Sequence, residues 1–504
     1  MSMTLGISWL VWLIALPLVG FFILLFIPAR AKNALRWVAL LTSLTTFGAA
    51  LGMLAQFQVG NPALQQVVRQ PWVRVGDFTI EFYLGVDGLS LLLVLLTAFL
   101  TPIAILSTWS AVEEGVKGFM LFFLLLESGM LGVFLALDLV LFYVFWEFTL
   151  VPMIFLIGVW GGERRIYAAV KFFLFTMFGS VLMLLGILYL GLQTRTFAWD
   201  ALLQQREVFA AAQLWLFLAF GLAFAIKVPM FPLHTWLPDA HVEAPTAGSV
   251  ILAGILLKMG AYGFLRFNLP LFPQATLQLA PWVAALAVVG ILYGAAVAFA
   301  QQDVKKLVAY SSVSHLGFVV LGTFALTAQG LSGAVLQMVN HGLSTGALFL
   351  IVGMLYERRH TRQMSAFGGI WKVMPVLGAL SLIITLSSLG LPGLNGFVGE
   401  FTILLGAFRS AVLVTPWFAG LATFGVILAA IYLLTMFEKV FLGPVRHEEN
   451  ARLPDLNRRE ILTLAPIILL VFWIGLYPQP FLDLINPSAE RLVALVQSVA
   501  LAAH

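Results

Sequence analysis

Ionisable side chains occur inside long apolar stretches of this chain, where a charge is costly. Seven such residues lie in otherwise hydrophobic segments: Glu127, Glu147, Lys227, Lys258, His315, His341 and Glu400. A charge at the centre of a bilayer costs about 2.5–3.5 kcal/mol on insertion scales. Acids, amines and imidazoles that are buried at similar depth can pass a proton from one to the next. The pattern predicts a path for ions, and first of all for protons, at mid-membrane.

The same residue types also suit a purely structural role. Acids and bases of opposite sign can pair between helices, which lowers the cost of burying each charge. For any one of the seven residues, an ion pair or an interhelical polar contact is therefore a sufficient explanation. A stable bundle does not need so many of them, and the row as a whole favours transport.

The overall composition requires a membrane as the solvent. The chain has 504 residues, of which 61% are hydrophobic and 10% are charged, whereas a soluble domain carries about 25% charged residues. It contains no cysteine, which excludes disulfides, thiolate-bound zinc and cysteine-ligated iron–sulfur clusters. It also has neither a dinucleotide-binding glycine fingerprint nor a phosphate-binding loop. We expect no cofactor, no metal and no nucleic-acid partner for this chain.

The apolar stretches predict an all-α polytopic membrane protein, because a spanning helix needs ~20 apolar residues. About fourteen spans are predicted, at 7–28, 35–57, 87–109, 117–134, 136–158, 168–192, 212–234, 248–267, 282–300, 307–327, 331–354, 375–408, 416–440 and 461–477. The polar stretch 58–86 alternates like a surface hairpin, and 480–503 is typical of an amphipathic helix. Most of the 27 Lys and Arg residues fall in loops after odd-numbered spans. By the positive-inside rule both termini then lie on the outer face.

Two of the predicted spans carry helix breakers beside their charges. Pro229 and Pro232 follow Lys227, and Pro392 precedes Glu400 in a stretch too long for one straight crossing. A proline lacks the N–H that would bond four residues back, and irregular backbone at membrane depth requires protein or water to satisfy it. Prolines also kink many membrane helices that have no transport role.

The positions of the two breaks predict an internal repeat. Residues 117–267 and 282–440 each hold five predicted spans, and the break falls in the fourth span of each half. Because five is odd, the second copy must be inverted, and paired breaks of this kind indicate an ion pathway. The predicted domains are helices 1–3 with an outer loop (1–116), the first repeat (117–267), the inverted repeat (282–440) and a terminal segment (441–504).

The chemistry of a pump stroke can be assigned to a lysine with an acid nearby. Bringing a buried lysine to proton exchange near neutral pH takes about 4.6 kcal/mol of differential stabilisation, and moving one proton against ~180 mV costs about 4 kcal/mol. An acid such as Glu147 would hold the proton on Lys227, and its withdrawal would release that proton. The group His234, Asp239 and His241 also suggests metal ligands, but it lies in a proline-interrupted loop, and we predict no metal there.

Six segments together resemble one family. They are 145–147 (FWE), 225–229 (AIKVP), 237–250 (LPDAHVEAPTAGSV), 255–258 (ILLK), 310–317 (YSSVSHLG) and 391–401 (LPGLNGFVGEF). These motifs are similar to those of the antiporter-like membrane subunits of respiratory complex I, and the likeness runs from about residue 85 to 440. Where the wider family often has lysine, this chain has Glu400, which is similar to the M branch (chain 4 in mitochondria). Members of that family have fourteen helices, which include two inverted five-helix repeats.

The resemblance implies roles for the matching residues of the first repeat. Glu147 would pair with and modulate Lys227, which would be the central proton carrier. Lys258 would pass the proton along the membrane.

The resemblance implies a path through the second repeat as well. His315 and His341 would line its hydrated part, and Glu400 would be the terminal proton site, linked to the outer face. It assigns no role to Glu127.

The resemblance also implies the wider setting of the chain. It would be a non-redox, proton-translocating subunit of NADH:quinone oxidoreductase in the bacterial cytoplasmic membrane, beside neighbouring antiporter-like subunits. NAD, FMN, iron–sulfur clusters and quinone would be bound by partner subunits. Two alternatives remain open: a subunit of a multi-subunit cation/proton antiporter, and a subunit of a related ferredoxin-, hydrogenase- or methanophenazine-linked complex.

Overall fold

The computed structural model describes residues 8–502 with the exception of residue 77. Within these residues, thirteen helical segments are long and apolar enough to cross a bilayer. The first residue of the predicted span 7–28, the last residue of the predicted helix 480–503 and residue 504 lie outside the described part. The first five spans are α1 (Trp9–Phe26), α2 (Lys32–Ala55), α3 (Leu91–Ala111), α4 (Val116–Leu135) and α5 (Leu139–Trp160).

The next three spans include a break and several turns of altered helix. They comprise α6 (Arg165–Thr194), the short α7 (Trp199–Gln204), a 3₁₀ turn (Arg206–Ala212) leading into α8 (Gln213–Lys227), α9 (Trp236–Glu243), and α10 (Thr246–Ile251), α11 (Leu257–Gly263) and α12 (Leu269–Leu271). Two π turns, Leu252–Leu256 and Phe264–Asn268, join α10 to α11 and α11 to α12 into one span. The sequence predicted this span but not its π turns.

The second half continues with long helices. These are α13 (Pro273–Phe299), α14 (Val304–Phe324), α15 (Ala328–Arg359), the short α16 (Ile370–Val373), α17 (Pro375–Ser388), α18 (Asn395–Phe408), α19 (Trp417–Phe441), α20 (Arg458–Leu476) and α21 (Gln479–Ala502). Short 3₁₀ turns lie at Met364–Ala366 and Glu448–Asn450. The single span predicted over 375–408 is the pair α17 and α18, each of 14 residues. At 1.5 Å per residue neither helix crosses a 30 Å core alone.

A β-hairpin precedes α3, as the alternation over 58–86 predicted. Strands β1 (Gln65–Val75) and β2 (Phe78–Val86) pair antiparallel. Asp138 holds the hairpin to the bundle: its side chain caps α5 by accepting from the N–H groups of Val140 and Leu141, and it also accepts from the Glu81 N–H at 3.1 Å. One carboxylate therefore sets both the start of α5 and the position of β2.

The most enclosed helices form the centre of the molecule. The apolar windows of the span Thr246–Leu271 and of α15 are entirely buried, and that of α14 is 94% buried. The helices α1, α6, α13, α19 and α20 are less than half buried over the same window, as expected for helices that face lipid. The amphipathic α21 lies against α15 and α13, and its residues Ile485, Ala489, Leu492 and Val496 are buried. Lys258, His315 and His341 thus lie on the three helices best shielded from solvent and lipid.

Candidate functional site

The central contact of the site joins Lys258 to His341. Lys258 is fully buried on α11, and its Nζ lies 2.6 Å from His341 Nδ1 on α15. The same amine donates to the carbonyl of Ala253, which belongs to the π turn just before α11. π turns interrupt the regular ladder and are frequent at functional sites. The turn therefore supplies a backbone acceptor beside a lysine that has no acid within salt-bridge distance among the described residues.

A second contact joins His315 to Glu400. His315 Nδ1 on α14 lies 2.8 Å from Glu400 Oε1 on α18, and both side chains are almost fully buried. Tyr432 on α19 places its hydroxyl 3.2 Å from His315 Nε2, and the amide of Gln337 donates to Glu400 Oε1 at 3.1 Å. With the carboxylate at Nδ1, the geometry favours the tautomer in which Nδ1–H donates to Glu400 and Nε2 accepts from Tyr432.

A small polar cavity lies between these two contacts. The rings of His315 and His341 are 6.0 Å apart between centroids, too far for a direct hydrogen bond. The cavity is lined by both histidines and by the polar residues Gln337, Asn340, Ser344, Thr345, Ser387 and Ser388, together with Gly396. The volume open to the centre of a water-sized sphere is about 10 Å³, about the room that one water needs. One water there would complete a connection from Lys258 to Glu400.

Glu147 and Lys227 occupy a separate place in the first half. Lys227 is the last residue of α8 and is 2% exposed. Its Nζ lies 5.1 Å from the ring centroid of Trp146 and 5.8 Å from that of Phe172, which gives the cation two aromatic faces. Glu147 is half-buried, and its Oε1 has no hydrogen-bond partner. Among the described residues no salt bridge joins the two side chains, so the expected pair is not closed in this conformation.

The first predicted helix break lies directly after Lys227. Residues 228–235 leave the helix, and two of the carbonyls freed at its end find other donors. The Ala225 carbonyl accepts from the Met230 N–H at 2.8 Å, and the Ile226 carbonyl accepts from Trp236 Nε1 at 2.9 Å. The indole thus fastens the two halves of the broken span.

The second break is held by side-chain amides and hydroxyls. Gly390 and Gly393 adopt positive φ between α17 and α18, where residues with a Cβ would be strained. Asn395 bonds across the break to Ser387 at 2.5 Å and to Ser344 of α15 at 3.3 Å. Asn340 donates to the Asn395 carbonyl at 2.7 Å. These contacts place Glu400, one turn further along α18, against His315.

The structure divides the predicted residues into two groups. Lys258, His315, His341 and Glu400 come together, and Glu147 with Lys227 lies apart from them. Several contributors were not anticipated from the sequence: Tyr432, Gln337, Asn340, Asn395 and Ser387. Gln337 and Asn340 precede His341 on α15 by four residues and one residue, and that polar spacing could have indicated them. Tyr432 carried no signal, because a tyrosine is common in membrane helices.

The suggested metal ligands have other surroundings. Asp239 pairs with Lys171 at 2.7 Å, and the His241 ring stacks on Phe349 with centroids 4.6 Å apart. No group of three or more His, Asp, Glu or Cys residues suited to a metal ion occurs in the part of the chain that the structure describes.

The family model for the transmembrane part of "NADH:quinone oxidoreductase/Mrp antiporter" proteins matches residues 136–429. That range covers more than half of the chain and includes the six predicted site residues, from Glu147 to Glu400. The chain belongs to this family.

Curated members of the NADH:quinone oxidoreductase/Mrp antiporter family resemble this chain over almost its whole length. NADH-quinone oxidoreductase subunit M of Rhodobacter capsulatus is 47% identical over 478 residues, which is 92% of this chain and 91% of that protein. NADH-ubiquinone oxidoreductase chain 4 of Marchantia polymorpha is 46% identical over 482 residues, covering 95% and 96%. These relatives carry the names of the M branch, as Glu400 predicted.

A chain of one solved respiratory complex has the same fold. A chain of respiratory complex I from Thermus thermophilus, determined with bound NADH, superposes with a TM-score of 0.85 at 35% identity. The match covers 97% of this chain and 99% of that one. The helical polytopic architecture predicted from the sequence is therefore confirmed.

Proposed function

We propose that this chain is a proton-translocating membrane subunit of NADH–quinone oxidoreductase and carries out no redox step itself. The family and the M-branch relatives support the assignment. The single observation that carries the mechanism is the buried series Lys258, His341, His315 and Glu400. Its outer pairs are in hydrogen-bond contact, and the two histidines line one cavity with room for a water.

The geometry supports a proton moving along this series in single steps. Lys258 as an ammonium would donate through Nζ to Nδ1 of His341, and a water in the cavity would receive the proton from the imidazolium. At His315, a proton arriving on the Nε2 side would displace the bond from Tyr432, and the Nδ1 proton would pass to Glu400. Imidazoles suit both steps, because either ring nitrogen can give or take a proton.

Glu147 and Lys227 would form the input part of the mechanism. Closure of the pair would hold a proton on Lys227, and the open arrangement seen here would let it leave. A population shift between the two arrangements, driven by partner subunits, would make the transfer directional. Moving one proton against ~180 mV needs about 4 kcal/mol, which is of the size that breaking a buried ion pair involves.

The remaining assignments follow from the same proposal. We place the chain in the bacterial cytoplasmic membrane with both termini on the outer face, and we place Glu400 at the outward end of the path. Neighbouring antiporter-like subunits would flank it in the membrane arm. NAD, FMN, iron–sulfur clusters and quinone would be held by other subunits, in line with the absence of cysteine. The two five-helix repeats, 117–267 and 282–440, would supply one half of the path each.

The test measures NADH-driven quinone reduction and proton uptake in inverted membrane vesicles that carry Glu147→Gln or Glu400→Gln. Each substitution keeps the shape of the side chain and removes its exchangeable charge, so we expect both activities to fall together. Glu448→Gln is the exposed control, because Glu448 is 90% exposed beside Arg452. Glu460→Gln is the buried control: Glu460 pairs with Arg358 away from the series, and its loss should lower the amount of complex but not the activity per complex.

The result would contradict the proposal if assembled complexes with Glu147→Gln and Glu400→Gln pumped at the wild-type rate. A second arm separates the cation/proton antiporter alternative. Vesicles without NADH are given a sodium gradient, and proton exchange is recorded. Exchange that depends on Glu400 and needs no electron donor would favour the antiporter.

A further inference from the structure

Glu127 is a buried acid that the series described above does not include. It lies in the middle of α4 and is fully buried, and neither of its carboxyl oxygens has a hydrogen-bond partner among the described residues. An ionised carboxylate without any partner is very costly to bury, so such a group takes up a proton instead. In this conformation Glu127 is therefore a neutral carboxylic acid with a proton to give.

Glu127 lies at the same depth as Glu147. It precedes the end of α4 at Leu135 by eight residues, and Glu147 follows the start of α5 at Leu139 by eight residues. The two helices are consecutive and are joined only by residues 136–138. At 1.5 Å per residue both acids are about 12 Å from that connection.

Glu127 lies on a face of α4 that points away from α5. The face of α4 that meets α5 is set by Gly129 and Gly132, where a Cβ would strike Thr149 and Phe145 respectively. Glu127 precedes Gly129 by two residues, or about 200° of rotation. Glu127 and Glu147 are thus not a facing pair, although they share one depth.

The face of Glu127 is the one that meets the span of Lys258. Phe134 follows Glu127 by two turns, on the same side of α4. Its ring packs on Tyr262 with centroids 5.3 Å apart, and its carbonyl accepts from the Tyr262 hydroxyl at 3.0 Å. Tyr262 lies one turn beyond Lys258 on α11.

The Glu127 carboxyl and the Lys258 amine also lie at similar depths in the membrane. Glu127 lies about 10 Å inward of Phe134, and the backbone of Lys258 lies about 6 Å inward of Tyr262. The Lys258 side chain extends further in the same direction, because its Nζ bonds to the carbonyl of Ala253, five residues earlier. Carboxyl and amine therefore belong to one layer of the membrane.

We propose that Glu127 is a further proton-carrying residue that exchanges its proton with Lys258. The step breaks the carboxyl O–H bond and forms an N–H bond on the neutral amine, which leaves a carboxylate and an ammonium in the same layer of the membrane. The attraction of the two new charges offsets part of the cost of burying them. The assignment rests on the proposed function, since it requires Lys258 to carry protons. It makes α4 a second route to Lys258, independent of Glu147.

The test uses the assembled complex in membranes with Glu127→Gln and Glu127→Asp. We expect Glu127→Gln to lower proton uptake per NADH oxidised, together with quinone reduction, by about tenfold, below the ~10²–10⁴-fold effect of a sole proton-transfer group. Glu127→Asp keeps an exchangeable proton and should restore part of the loss. Ser128→Ala is the matched control: the Ser128 hydroxyl donates to the Ile14 carbonyl at 2.8 Å, and its loss should change assembly alone.

Infrared difference spectra of the complex during turnover provide a second measurement. A purely structural role of Glu127 would not change this signal. The C=O stretching band of a protonated carboxyl should change on turnover in the wild type and be displaced in Glu127→Asp. The inference is overturned if that band is identical in the two proteins, a comparison that holds even where Glu127→Gln fails to assemble. It is also overturned if Glu127→Gln pumps like the wild type while Glu147→Gln is inactive, in which case the proposed function stands. Wild-type activity in Glu147→Gln and Glu400→Gln would reject the proposed function itself.

Discussion

At the scale of single residues, His315 differs from His341, whose Nε2 has no hydrogen-bond partner among the described residues. One ring nitrogen of His315 meets a carboxylate and the other meets a phenol, so both nitrogens have assigned partners. The arrangement resembles the way an acid fixes the tautomer of a catalytic histidine. Tyr432 is a positioning residue here, because it acts on the proton path only through His315.

Tyr432→Phe tests this positioning role. The ring stays in its buried place, and one hydrogen bond of about 0.5–1.5 kcal/mol is lost. We expect proton uptake to slow by about two- to tenfold while the amount of assembled complex is unchanged, as measured in inverted vesicles. The control is Tyr189→Phe, because Tyr189 is exposed on α6. A wild-type rate in Tyr432→Phe would show that the phenol does not orient His315.

At the scale of elements, the two helix breaks determine the positions of Lys227 and Glu400. The α8 break leaves Lys227 at a helix terminus, and the break between α17 and α18 places Glu400 in the second turn of a new helix, beside α14. The close approach of α18 to α15 depends on Gly399. A Cβ at that position would strike the side-chain oxygen of Gln337 and come within 2.9 Å of Asn340 Nδ2. Gln337 bonds to Glu400, and Asn340 bonds to Asn395 at the break.

Gly399→Ala is therefore expected to disturb the site without removing any of its ionisable groups. Displacement of Gln337 removes its bond to Glu400, so proton uptake should fall severalfold more than the amount of assembled complex. Gly420→Ala is the matched control, since the nearest atom to its added Cβ is 4.0 Å away and alanine favours a helix by ~1 kcal/mol. Equal behaviour of the two variants would mean that α18 has room to shift.

At the scale of the whole molecule, a buried ion pair joins segments far apart in the chain. Arg266, on the π turn after α11, makes two bonds to Asp87 at the end of β2, at 2.5 and 2.8 Å. Next to Asp87, the Gly88 N–H donates to Ser488 of α21 at 3.0 Å. The hairpin, the Lys258 span and the C-terminal helix therefore meet at one point.

Breaking this pair should destabilise the fold. Asp87→Ala leaves Arg266 buried without its acid, which typically costs about 3–5 kcal/mol. We expect a lower thermal unfolding temperature of the detergent-solubilised complex and less assembled protein. In the double variant Asp87→Leu/Arg266→Met the charge is gone from both sides, and much of the stability should return. A double variant that is no better than Asp87→Ala would mean that the pair is needed for more than charge balance.

The sequence determined the features that depend on local chemistry. Apolar run length set the number and approximate bounds of the spans, and proline placed both helix breaks, because a missing N–H acts on its own helix. Alternation predicted the β-hairpin, and the placement of ionisable groups within apolar runs drew attention to all seven residues proposed to carry protons, Glu127 among them. Each of these signals lies within a few residues of its effect.

Only the tertiary structure decided which residues meet. Lys258 and His341 are 83 positions apart, and His315 and Glu400 are 85 apart, so their contacts depend on the rotation and crossing of separate helices. The π turn that offers Ala253 to Lys258, the phenol of Tyr432 and the open arrangement of Glu147 and Lys227 follow from that packing. A linear pattern records which face of a helix is apolar, but it does not record which neighbour that face will meet.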